Sequence, residues 1–309
     1  MAANSVQSRT VWGRPRSAVC VTESDQPADS ATEKARRERR RALILPREHG
    51  AWGLLLAPLV TGAGVAFREN NHVASVLLLL VAALALFWLR TPAENLLGTS
   101  ALRAQTSDER RGIIVVIAAL GAVAVLALGA LLWNGQNSDL WLIGIVAGFA
   151  FVAQGVLKRL GRRARMLSEI VGTIGLTSSA PAAYYVMIGK FGATAWMLWL
   201  ANLIFAGNQI HYVQFRIHTA RAEDVQAKFA HGWTFAVGQL VMAAALCVAC
   251  LRGLMPWLAL IAFVPVLFRG WFYFFERPGP LSVRRLGWSE LAHAVAFCML
   301  FIAAFALGR

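Results

Sequence analysis

The chain has 309 residues, 58% of them hydrophobic and 15% charged, with a formal net charge of +14. That apolar content excludes an ordinary soluble domain, and the way the charge is distributed excludes a nucleic-acid surface as its main meaning. The Lys and Arg residues fall in the gaps between long apolar stretches, where they set orientation in a bilayer and lie against anionic headgroups. The partners implied are membrane lipids and no nucleic acid.

Residues 1–41 mix Ser, Ala, Arg, Glu and Asp with few large apolar side chains and end in the basic run Lys34–Arg41. This composition predicts a disordered basic tail, followed by one membrane domain over 42–309. A bilayer-spanning helix needs about 20 mostly apolar residues. Nine stretches qualify: 49–67, 73–90, 112–133, 139–157, 167–189, 193–215, 232–251, 254–275 and 288–307. Without period-2 alternation, helix is the state that pairs every backbone group in lipid. The expected fold is therefore all-α, a polytopic bundle of nine transmembrane helices. Of the 30 Lys and Arg residues, 25 fall on one side of this layout and four on the other, with Arg269 inside the eighth stretch. That bias puts the N-terminus in the cytoplasm and the C-terminus outside.

Polar groups at membrane depth face protein or water and mark sites. Four clusters stand out, all at cytoplasmic helix ends. The first is Pro46-Arg47-Glu48-His49-Gly50-Ala51-Trp52, an interfacial anchor or, through His49, part of a binding site. In the second, Arg90 and Glu94 are four residues apart around Pro92. Either the helix continues and they pair, or Pro92 breaks it and frees backbone groups for a ligand. A gap of about 20 residues follows, and it contains Arg103. The third cluster, Ser168 to Pro181, reads as packing plus an interfacial ion pair of Glu169 with Arg162, Arg163 or Arg165. In the fourth, Asn208, His211, Gln214 and His218 fall within about 120° on one helix face. Two imidazoles and two amides make a poor lipid-facing surface, so this face is expected to line a site. Gln154, Asn202, Gln239, Glu290 and His293 read as buried, hydrogen-bonded helix residues. No residue set has metal-ligand spacing; Cys247 and Cys250 lie in an apolar stretch without a second pair.

Two resemblances follow from these residues. The segment LPREHGAWGLLLAPLVTG (45–62), with Arg90-x-Pro92 and the His-rich end of the sixth stretch, resembles the YwiC-like family of bacterial membrane proteins over residues 43–309. It implies a multi-pass protein of the bacterial plasma (inner) membrane and names no reaction. In layout, with its most polar segments after the second and sixth stretches, the chain is similar to the UbiA-type intramembrane prenyltransferases. Those enzymes hold Mg²⁺ and an isoprenoid diphosphate on Asp-rich motifs at these two places. Here Thr91-Pro92-Ala93-Glu94-Asn95 and Asn208-Gln209-Ile210-His211 stand there instead, too poor in carboxylates to clamp two ions. The resemblance implies a UbiA-like fold that binds an anionic, isoprenoid or quinone-type lipid in a cytoplasm-facing cavity, without the metal chemistry. Ligand-binding candidates are His49, Arg90, Glu94, Arg103, Asn208, Gln214 and His218, with His211 as the acid–base group of a divergent transferase; no metal ligand and no particular cofactor is indicated. The competing expectations are a non-catalytic scaffold and a small-solute transporter.

Overall fold

The computed structural model describes residues 26–45, 49–67, 72–100, 102–133, 139–161, 164–220, 224–276 and 281–308. The chain divides into two units, residues 1–40 and 41–309. Helix α1, Gln26–Ile44, runs through much of the segment expected to be disordered. Its Ala, Glu, Lys and Arg content favours helix, and Glu33 and Arg37 pair one turn apart at 2.6 Å. Residues 1–25 lie outside the described residues.

Ten helices follow: α2 (His49–Ala66), α3 (Val73–Leu97), α4 (Ser107–Trp133), α5 (Leu140–Arg159), α6 (Arg165–Thr177), α7 (Ser179–Ile188), α8 (Ala193–His218), α9 (Val225–Leu251), α10 (Val264–Phe275) and α11 (Val283–Leu307). A 3-10 turn, Trp257–Phe263, leads into α10. Each apolar stretch of the sequence is mainly helical where it is described, with interruptions at Ser178 and at 254–256. Among the described residues, six segments can cross a membrane by length and composition: α3, α4, α5, α9, α11 and the continuous 257–275. The apolar part of α2, Trp52–Ala66, is shorter.

The fifth stretch is two half-helices rather than one continuous helix. Its own hydroxyls explain the break at Ser178. Thr177 donates to the Thr173 carbonyl (2.8 Å), Ser178 to Gly175 (2.7 Å) and Ser179 to Leu176 (2.8 Å). Such back-bonding competes with the helix ladder, and Pro181 brings no N–H to it. All residues of α7 from Ser179 to Met187 are buried, so it lies inside the bundle, against α2, α3 and α8.

Small residues make that burial possible. A Cβ on Gly62 of α2 would strike the Ala180 carbonyl of α7, and one on Gly64 would strike Ile302 of α11. The contact is pinned by polar groups: Asn202 on α8 donates to Thr61 Oγ1 (2.9 Å) and to the Leu198 carbonyl (2.8 Å), while Thr61 donates to the Pro58 carbonyl (2.8 Å). Phe205 and Phe297 stack nearby, centroids 4.0 Å apart.

Helix α3 passes through Pro92 without ending and closes at Gly98, whose φ of 68° is left-handed. With α4 starting at Ser107, the gap expected to be about 20 residues shrinks to residues 98–106.

Gly62→Leu should therefore lower thermal stability in detergent by about 1–3 kcal/mol, the usual penalty for overpacking. Gly129→Ala, at a helical position with open space around it, should leave stability equal or raise it by up to about 1 kcal/mol.

Candidate functional site

The Arg90–Glu94 spacing produces a pair because the helix continues. Arg90 Nε meets Glu94 Oε1 at 2.9 Å. The same oxygen accepts from Lys158 Nζ at 2.7 Å, which ties α3 to the end of α5. All three side chains are mostly buried. Close by, Asn95 donates to the Leu43 carbonyl (2.7 Å) and Trp88 to the Ile44 carbonyl (3.0 Å). The residues form a brace at one end of α3. Arg103 is exposed, with its guanidinium against the Gly98 turn that closes α3. The side chain of His49 lies outside the described residues.

The polar face of α8 separates into three environments. Gln214 donates to Glu169 Oε2 on α6 at 2.8 Å; the side chains of Arg162, Arg163 and Arg165, the expected ion-pair partners of Glu169, lie outside the described residues. His218 is exposed, with Nδ1 at 2.7 Å from its own helix's Gln214 carbonyl. Asn208 and His211 alone share a cavity, about 250 Å³ in volume, between α8 and α9. Its wall is apolar (Ile204, Val241, Met242, Ala245), and two glycines, Gly207 and Gly238, keep it open. A Cβ on Gly238 would come within 3.1 Å of His211 Nδ1. At the rim, Gly207 and Val241 are exposed on the outer face of the bundle. Inside, Asn208 Oδ1 is buried without a hydrogen-bond partner. His211 packs against Phe235 edge to face, 5.2 Å between centroids.

No arginine or lysine lines this cavity. Arg90 and His211 therefore stand in separate clusters, and the single anion pocket expected from the four converging ends is divided. Among the described residues, no group of three or more His, Cys, Asp and Glu is placed to hold a metal ion.

A charged cluster escaped the sequence reading. Arg269 on α10 pairs with Glu290 on α11 and lies over the Tyr212 ring of α8, 3.9 Å from its centroid. Gln209 donates to the Glu290 backbone carbonyl at 3.0 Å. Toward the helix ends, Arg216 and Lys228 each lie over the Tyr273 ring, 4.2 and 4.1 Å from its centroid. Lys228 is fully buried and donates to the Tyr273 and Glu276 carbonyls at 3.3 and 2.5 Å. A cation there satisfies the carbonyls at the C-terminal end of α10. The available signals were Arg269 alone in an apolar stretch and Glu290 alone in another. Gln239, expected to be hydrogen-bonded, is 1% exposed with both amide atoms unpartnered.

Glu94→Leu removes two ion pairs at once. It should lower thermal stability by about 1–3 kcal/mol, more than Lys158→Leu does in the same detergent.

No curated protein and no solved structure matches the chain. The matched family segment starts at Leu45 and ends at Tyr184 within α7, so it includes the brace of Arg90, Glu94 and Lys158 and stops short of the α8–α9 cavity. Over residues 45–184 the chain matches the family model described as YwiC-like protein.

Proposed function

We propose that this is a nine-span membrane protein, N-terminus cytoplasmic and C-terminus outside, that binds a membrane lipid of isoprenoid or quinone type in the cavity between α8 and α9. The six long apolar helices and the one-sided Lys and Arg distribution support the placement. The polar segments after the second and sixth stretches support a UbiA-like layout.

The cavity carries the ligand assignment. It has an apolar wall, a rim on the outer face and two polar groups at one end, which is the usual make-up of a small-molecule site. Its volume suits a ring or headgroup with a chain left among the bilayer tails. The absence of any cation from the lining favours a hydroxyl or carbonyl head over a phosphate. Asn208 Oδ1 offers a buried acceptor to a hydroxyl, and the imidazole of His211 can donate to a carbonyl or accept from a hydroxyl. His211 is then the group positioned to exchange a proton with the head. Arg90, held by Glu94, acts as a structural brace.

The test is mass spectrometry of lipids retained by the purified protein. A prenyl or quinone-type species should accompany the wild type and Arg90→Ala. It should fall at least several-fold in Asn208→Leu/His211→Leu and in Ala245→Phe, which fills the cavity, with thermal midpoints matched. The same bulk phospholipids in every variant would defeat the proposal. Loss in Arg90→Ala alone would return the site to α3.

A further inference from the structure

Among the described residues, every buried side-chain polar atom without a partner belongs to α8, α9, α10 or α11: Asn208 Oδ1, Arg216 Nε, both amide atoms of Gln239, Arg269 Nε and Nη2, and Glu290 Oε2. Elsewhere the polar groups of the core are matched, as between Thr61 and Asn202 or Gln154 and the Ser168 carbonyl (3.1 Å). Unpartnered polar atoms in a core are costly, and their restriction to these four helices points to an occupant among them.

The mixture of atoms defines that occupant. Arg216 Nε, Arg269 Nε and Nη2 and the Gln239 NH₂ are donors; Asn208 Oδ1, Gln239 Oε1 and Glu290 Oε2 are acceptors. An anion would serve the donors and be repelled by Glu290. A metal cation would serve the acceptors and be repelled by Arg269. A small neutral molecule that both donates and accepts serves all of them, and buried water typically makes about three such bonds.

We propose that Arg269, Glu290, Gln239 and Tyr212 enclose a bound-water site inside the α8–α11 group, fed from the helix ends at Glu276. Polar groups mark the route. Glu276 is half exposed, and its Oε2 lies 3.9 Å from Arg216 Nη1. That nitrogen is 3.5 Å from the Tyr212 hydroxyl, and the Tyr212 ring carries the Arg269 guanidinium. From the sides that pack on α11, residues 52–66 of α2 and the 3-10 turn 257–263 bring no ionisable group. The polar lining therefore comes from α8, α9, α10 and α11 itself, where His293 lies one turn beyond Ser289 and is bonded to its carbonyl at 2.7 Å. Gln239 follows Gly238 in α9, so the site adjoins the α8–α9 cavity. The proposal stands without any ligand in that cavity.

Three buried tyrosines provide an internal test: Tyr212 is 4% exposed, Tyr184 6% and Tyr185 1%. Hydroxyl radicals generated from water label side chains beside bound water. In the purified full-length protein, Tyr212 should be oxidised several-fold faster than Tyr184 and Tyr185. Equal protection of the three would overturn the proposal without bearing on lipid retention. Gln239→Leu supplies a second reading. If the amide faces water, Tyr212 labelling drops towards the Tyr185 level while the thermal midpoint holds or rises. A fall in midpoint with Tyr212 labelling unchanged would show a dry hydrogen-bonded seam and refute the water site.

Discussion

The approach of α2 to α7 is the constraint on which the bundle rests. Gly62 lies so near the Ala180 carbonyl that no side chain fits between the two backbones. In lipid, where apolar side chains gain little by leaving one apolar medium for another, helices associate through such close van der Waals contact and through interhelical hydrogen bonds. Here both occur together, with Thr61 and Asn202 bonded beside the glycine. The break before α7 follows from the same setting. A short half-helix can be surrounded on all sides because its hydroxyl residues turn their polar atoms onto carbonyls of the preceding turn.

Polar residues in this protein fall into two classes. The Arg90–Glu94–Lys158 brace, the Thr61–Asn202 pair and Gln154 with Ser168 are hydrogen-bonded to one another within the protein. Asn208, Gln239, Arg269 and Glu290 keep polar atoms without a partner. The first class holds helices together; the second is concentrated in α8–α11. The segment that matches the family model contains the first class except Asn202 and ends before the second begins.

Local sequence spacing revealed what one helix controls. The helical stretches follow from runs of apolar residues, and Arg90 and Glu94 pair because they are one turn apart. What the spacing could not supply was the partner from another helix. Lys158 is 64 residues from Glu94, and Arg269 on α10 is 21 from Glu290 on α11, so neither pairing leaves a periodic trace. The face formed by Asn208, His211, Gln214 and His218 is real as an angular sector, yet it spans about ten residues of helix, about 15 Å of rise. Its lower part meets α6, its upper part meets α9 and its end meets solvent. Angular proximity therefore does not imply a common site. Pro92 left two outcomes open, and the continuing helix is the one found: proline is tolerated inside an apolar helix whose neighbours support it.

Lys228 has a consequence for assembly. It sits in the first turn of α9, but both carbonyls that receive its protons come from the end of α10, 45 and 48 residues further along the chain. While α9 is being inserted, those acceptors have not yet been synthesised, and the ammonium must stay in water or among headgroups. Only after α10 has folded back alongside does the cation gain its final partners and become fully covered. The locking of the start of α9 thus records the arrival of a later segment.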